Sequence, residues 1–228
     1  MKDYFKYVVL AKKQYKGDKT GHNFCHIKRV LKYGKKIMKG ESGVNEFVLV
    51  VSILFHDVHR ILSTEFGRYV TPEESLPYIK KMLSNYKIPE SELEQILTCI
   101  KYHEDKVICE DSPIELKILI EADILDNIGR NGLKRTLSYC KAHNIPNVDK
   151  KIPLEVDDYA ANHKPYSTTH YVYRTMIPEA KLIQTDIGKR FAKKQTEVLY
   201  KYVAKNLDTS VKKLEVHLWE SVLILTEY

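Results

Sequence analysis

Residues 47–55 are apolar at every position but Ser52, and they run directly into His56-Asp57-Val58-His59-Arg60. A segment with no polar face has to be enclosed on all sides, so the rest of the chain must supply apolar surface to cover it. Ionisable groups at the end of such a segment are costly unless they pair, bind a ligand or coordinate a metal. The sequence is therefore read for partners of His56 and Asp57.

Composition alone leaves residues 46–55 open between a buried strand and a buried helix. The flanking segments favour a helix. Phe24, Ile27, Val30, Leu31, Ile37 and Met38 recur at helical spacing, with Lys35, Lys36 and Lys39 near the end at Gly40. Residues 3–15 form a shorter helix, and residues 59–70 a loop or short helix. Thr71-Pro72-Glu73-Glu74 and Ser112-Pro113-Ile114-Glu115 each place a hydroxyl cap, a proline and an acid in helix-starting order. A helix over 90–104 carries Leu93, Ile96, Leu97 and Ile100 inward. Residues 114–128 are apolar nearly all round, which belongs at a domain centre, yet they contain Asp123 and Asp126.

Gly129 to Gly132 reads as a break, followed by a helix over 133–143 and irregular chain over 144–165. Further helices are expected over 170–177, 178–206 and 209–228. No repeat or low-complexity tract interrupts the chain. The expectation is an all-α fold: one helical domain over 1–208 and a C-terminal helical extension over 209–228. Trp219 and its apolar neighbours in that extension either pack on the domain, the favoured reading, or pair with a second subunit, leaving a monomer or a homodimer.

With 43% hydrophobic and 29% charged residues in 228, the composition excludes a disordered chain. The formal net charge of +7 attracts anionic ligands, and the basic residues are spread along the chain rather than massed in an arm. Cys25, Cys99, Cys109 and Cys140 form no CxxC pair, which fits reduced thiols rather than a zinc knuckle or disulfide framework. The start lacks a signal-peptide apolar region, and no unbroken apolar run reaches the roughly 18 residues a membrane helix needs. A cytoplasmic protein without a membrane segment is expected.

The polar residues that break apolar patterns are His26, His56, Asp57 and Asp123. Two imidazoles and two carboxylates make a mixed ligand set suited to one divalent ion such as Mn²⁺, Mg²⁺, Co²⁺ or Fe²⁺, with water completing the shell. The absence of cysteine argues against structural zinc. Taken one at a time, each residue has a plainer reading: a hydrogen-bonded core histidine, or an aspartate that caps a helix or pairs with a base.

Their order and surroundings add to this. Gly21-His22-Asn23-Phe24-Cys25-His26-Ile27-Lys28-Arg29-Val30, Leu54-Phe55-His56-Asp57-Val58 and Glu121-Ala122-Asp123-Ile124-Leu125-Asp126-Asn127-Ile128-Gly129 resemble three ordered segments of the HD-domain metal-dependent phosphohydrolases, in their small stand-alone nucleotide branch. A weaker similarity reaches residues 185–192, so the resemblance covers about residues 20–205. It implies an HD-type helical domain with His26, His56, Asp57 and Asp123 as metal ligands. It also implies hydrolysis of a nucleotide, as in triphosphate cleavage to monophosphate and pyrophosphate, or of another small phosphoester.

Other candidates surround this set. Arg29, three residues after His26, is a candidate to hold substrate phosphate, a ligand carboxylate or a structural acid. His59 is a candidate proton shuttle or a packing residue, at a position where relatives often have glycine. His103 matches a family position that faces the site and is a catalytic candidate. His22 either contacts substrate or caps its helix, Arg60 is a substrate-binding candidate, and Asp126 is placed to orient a ligand from behind. Arg174, Lys189 and Arg190 could hold distal phosphates, although a solvated helix face is the favoured reading. Asn23 and Gln195 depart from the aspartate and arginine that relatives carry there. A non-catalytic HD scaffold that binds a signalling nucleotide or nucleic acid is the competing function. No RRM, zinc-finger or basic-helix pattern supports nucleic acid, and most of the 16 tyrosines read as packing or surface residues.

Overall fold

The computed structural model describes residues 4–17, 21–106, 109, 111–154, 156, 164–208 and 213–214. Among these the chain is all-α, with no strand. It divides into two compact units, Met1–Asp126 with Gln184–Gly188, and Asn127–Ile183 with Lys189–Tyr228.

In the first unit, α1 (Phe5–Gln14), α2 (Phe24–Met38) and α6 (Glu90–Tyr102) pack on α3 (Glu46–Phe55). Residues 46–55 are helical, which resolves the strand-or-helix ambiguity, and every residue of α3 from Phe47 to Phe55 is buried. Asn45 caps α3 with its side chain, and its own N–H and amide are held by Glu115 and Glu92. Glu46–Phe66 is apolar enough by composition to cross a membrane, but 78% of its most apolar window is buried inside the chain. Enclosure within the unit accounts for its character.

Residues 58–66 form a helix, α4 (Val58–Phe66), closed by Gly67 at φ 65 in the left-handed region, where only glycine escapes strain. The hydroxyl cap expected at Thr71 is present at the start of α5 (Pro72–Leu83), where Glu74 completes it as a capping box. Helix α7 (Ile114–Asn127) lies against α2 as well, with Ala122 Cβ an ordinary 3.8 Å from where a Cβ on Gly34 would stand, whereas Ile53 Cδ1 of α3 would be only 2.6 Å away. Gly34 thus sets how close the helix carrying His26 comes to the one that ends at His56.

Three boundaries differ from expectation. Helix α8 (Arg130–Ala142) begins at Arg130 and passes through Gly132, because that glycine packs against the Asn127 carbonyl instead of ending a helix. The short helix starts earlier, at a Ser167 cap, as α9 (Thr168–Tyr171), then widens into a π turn over Val172–Met176 before α10 (Ile177–Glu179). The long helix expected from Pro178 is interrupted: Ile183 is extended, and α11 (Asp186–Leu207) starts afresh. The buried carboxylate of Glu121 causes the break. It accepts the backbone N–H of Gln184 (2.8 Å) and Thr185 (3.0 Å) and the Thr185 hydroxyl, offering these donors an alternative to helix. The extension beyond residue 208, Trp219 included, lies outside the described residues apart from 213 and 214.

Candidate metal centre

The start of α2, the junction of α3 with α4 and the second half of α7 bring four side chains together within the first unit. His26 Nε2 stands 3.4 Å from His56 Nε2, 3.2 Å from Asp57 Oδ2 and 3.3 Å from Asp123 Oδ1. His56 Nε2 is 3.4 Å from Asp57 Oδ2 and 4.0 Å from Asp123 Oδ1. Ligands about 2.1 Å from a common ion at right angles stand about 3.0 Å from one another, so one divalent ion fits this set with little adjustment.

The imidazoles are oriented for that role. His56 Nδ1 lies 2.8 Å from the Ile53 carbonyl and His26 Nδ1 2.8 Å from Asp126 Oδ2. Each Nδ1–H is thereby committed to an acceptor, which leaves Nε2 aimed at the shared centre. His26, His56 and Asp57 are buried, whereas the Asp123 side chain keeps 30% of its surface exposed and opens the centre to solvent.

Packing like charges and lone pairs this closely perturbs them. Burial works against a charged His26, but its bonds to Asp126 and Asp57 and the charge of Asp123 outweigh burial and raise it to about 10. Burial would likewise raise Asp57, yet the neighbouring His56 and His22 hold its carboxyl well below the usual range. A proton stands on His26 where a metal ion would otherwise satisfy the same carboxylates.

Residues 23–128 match the family model of the HD domain, spanning all four of these side chains. The chain carries an HD domain. No curated protein matches it. Several solved structures share the fold. A Lactobacillus plantarum protein is 20% identical with a TM-score of 0.71, over 89% of this chain and 93% of its own. An HD-superfamily hydrolase from Bacillus thuringiensis is 21% identical with a TM-score of 0.67, over 89% and 93%. Bacillus subtilis YpgQ, solved in complex with ADP, is 19% identical with a TM-score of 0.63, over 88% and 90%.

The remaining candidates of the HD domain fall into two groups. On the outer side, His22 Nδ1 bonds Asp57 Oδ2 at 2.8 Å and a third of its side chain is exposed. It does not cap α2; Asn23 does, by accepting the Cys25 N–H. Arg29 takes the structural-acid option among those open to it, with Nε 2.6 Å from Asp126 Oδ1 and Nη2 3.0 Å from Oδ2. Asp126 thus stands between a guanidinium and the His26 ring.

On the inner side lie His59, Arg60 and His103, the last two on the same carboxylate, Glu104, or next to it in sequence. His103 is buried with Nδ1 2.7 Å from the Ile100 carbonyl, and its ring meets His56 edge-on at 5.1 Å. Burial, then the charge of His56, pushes it down to about 4, so it is neutral at ordinary pH. Arg60 is bonded to Glu104, whose other oxygen accepts the Tyr69 hydroxyl at 2.7 Å. Burial would raise Glu104, but His59, Arg60 and Tyr69 hold it at about 2. Arg174, Lys189 and Arg190 belong to the second unit, as does Gln195, whose side-chain amide fills the space a Cβ on Gly129 would need.

Sequence reasoning passed over Glu104 and Glu121. Glu121 interrupts the same apolar helix as Asp123 and could have been found by the same test. Glu104 follows His103 directly, but nothing in its spacing announces Arg60 and Tyr69 as partners.

Proposed function

We propose that this chain is a divalent-metal-dependent phosphohydrolase acting on a nucleotide or another small phosphoester, with nucleoside triphosphate cleavage to monophosphate and pyrophosphate as the favoured reaction. The observation that carries the reading is the convergence of His26 Nε2, His56 Nε2, Asp57 Oδ2 and Asp123 Oδ1 beside a solvent-facing opening. A divalent ion held there supplies a Lewis acid for a phosphoryl oxygen and an acidified water.

The chain's own groups set up the rest. Asp126 and the Ile53 carbonyl fix the two ligand rings, so no reorganisation is needed when substrate arrives. His22, partly exposed and bonded to Asp57, is the candidate at the rim to contact a bound phosphate. The net charge of +7 favours an anionic substrate, and the ADP found in the fold relative YpgQ is in keeping with a nucleotide. A manganese, magnesium, cobalt or iron ion suits the two-nitrogen, two-oxygen set.

The test strips the protein with chelator, restores Mn²⁺, Co²⁺ or Mg²⁺, and screens nucleotides and generic phosphoesters for pyrophosphate against orthophosphate release. Turnover restored by metal and abolished in Asp57→Ala is expected. Tight binding of a nucleotide with no turnover on any substrate would move the function to a non-catalytic binding module.

A further inference from the structure

The outer side of α1 is a surface that the metal centre does not use. Phe5 keeps 73% of its area exposed and Val9 50%, although both are apolar and lie one turn apart on the same side of the helix. Helical geometry puts Lys12 and Lys13 within about 100° of arc with that pair, and exposed Lys16 follows at the helix end. Lys12 and Lys13 suit the negative end of the helix dipole. Helix electrostatics gives no reason to hold a phenylalanine and a valine in water beside them.

The surface continues onto α2. Val9, Lys12, Lys13 and Lys16 line a cleft of about 580 Å³ together with Phe24 and Cys25. From Cys25, the exposed edge of α2 runs on through Lys28 and Lys32 at three- and four-residue spacing. Neither helix contains an acidic residue. The lysines that pair with described acids are others, Lys35, Lys80 and Lys101 among them. Five like charges around an apolar strip repel one another, and an anionic partner relieves that repulsion.

We propose that this α1–α2 face docks the protein peripherally on an anionic membrane surface. Phe5 and Val9 enter the interface at headgroup depth, as the apolar side of an interfacial helix does. Lys12, Lys13, Lys16, Lys28 and Lys32 meet the lipid phosphates, with their stems lying along the apolar strip. The mixture of apolar side chains and lysine is what selects a bilayer. Nucleic acid would take the charge through its phosphates but gives Phe5 and Val9 no apolar phase to enter. A second copy of the chain would set lysine against lysine. The face shares no side chain with the metal set, so the inference stands whether or not the chain hydrolyses phosphoesters.

The experiment is co-sedimentation of the full-length protein with vesicles of phosphatidylcholine alone and of phosphatidylcholine mixed equally with phosphatidylglycerol, at low and high salt. Binding to the mixed vesicles only, weakened by salt, is expected. The triple variant Lys12→Glu, Lys13→Glu, Lys16→Glu is expected to lose about 100-fold or more in partitioning, at roughly fivefold for each charge lost. Phe5→Ser is expected to lose about tenfold with the salt dependence unchanged. A control triple variant, Lys193→Glu, Lys194→Glu, Lys201→Glu, makes the same charge change on exposed positions of α11 and is expected to bind like wild type. All these positions are exposed, so the fold is retained. No sedimentation with the mixed vesicles, equal binding to the neutral ones, or full binding by Phe5→Ser overturns the proposal. Equal losses in the two triple variants would show that net charge acts rather than this face. Binding of a fluorescent DNA duplex, lost in the α1 triple variant while vesicles go unbound, would reassign the face to nucleic acid.

Discussion

His26 Nδ1 and Asp126 Oδ2 stand 2.8 Å apart, joined across 100 residues of sequence, and the same carboxylate is gripped from its other side by Arg29. This contact fixes the ring whose opposite nitrogen faces the metal set. Asp126→Asn keeps the shape but weakens both bonds, and is expected to lower Mn²⁺ affinity by about 10–100-fold. Arg29→Lys removes the paired geometry and is expected to cost about 1–3 kcal/mol of stability with a smaller loss of affinity. Calorimetric titration and urea unfolding measure the two effects separately.

The protonation of His26 predicts a pH signature in metal-free protein. Its value rises from 6.5 to about 10 on folding, so its contribution to stability is complete below pH 6.5 and is lost as the pH climbs through about 10. A metal ion must expel that proton. Loading with Mn²⁺ at pH 7–8 is therefore expected to release about one proton per ion, and affinity to rise with pH up to about 10. Titration in buffers of different ionisation enthalpy reads the proton directly; no buffer dependence would contradict the assignment.

Glu121 is expected to behave as a structural acid. Glu121→Ala leaves the N–H groups of Gln184 and Thr185 without their acceptor, at about 1–3 kcal/mol for the buried Thr185 donor and less for the part-buried Gln184. Hydrogen exchange at residues 184–188 should speed up in Glu121→Ala and much less in Glu121→Gln, which retains one acceptor oxygen. Equal protection in wild type and Glu121→Ala would count against it.

Gly132 is expected to tolerate no side chain. A Cβ there would lie 1.5 Å from the Asn127 carbonyl oxygen, a backbone atom that cannot swing aside. Gly132→Ala should destabilise by about 3 kcal/mol or more, at the severe end for a single methyl group, despite alanine's better helix propensity. The urea midpoint measures it.

The helical class of this chain, and which polar side chains would have to meet in its interior, were legible because burial punishes polar groups. His26, His56, Asp57 and Asp123 interrupt apolar periodicity, and a polar group in such a place declares that it has a partner. The helix start at Thr71 was legible for a local reason, since caps and prolines act within one turn, and α7 begins at Ile114, just after the proline that signalled it. Spacing also placed Arg29 on the face of His26, one turn along, but it could not say which acid that face would meet.

Pairing is where the sequence runs out. The Arg29–Asp126 grip, the His59–Glu104 contact and the Glu121 latch that ends a helix at Ile183 all join residues on different elements. Periodicity reports which way a side chain points relative to its own helix, whereas the partner is set by how closely two helices approach and in what register. Gly34 and Gly132 show the dependence: both read as ordinary helix residues or breaks, and both are required by a neighbour's atoms. The sequence by itself therefore determined that residues 47–55 must be enclosed and that His56 and Asp57 must be answered. Only the tertiary structure decided that Asp126 orients His26 while Glu104 faces His59, because those choices depend on distances across the core that no local pattern encodes.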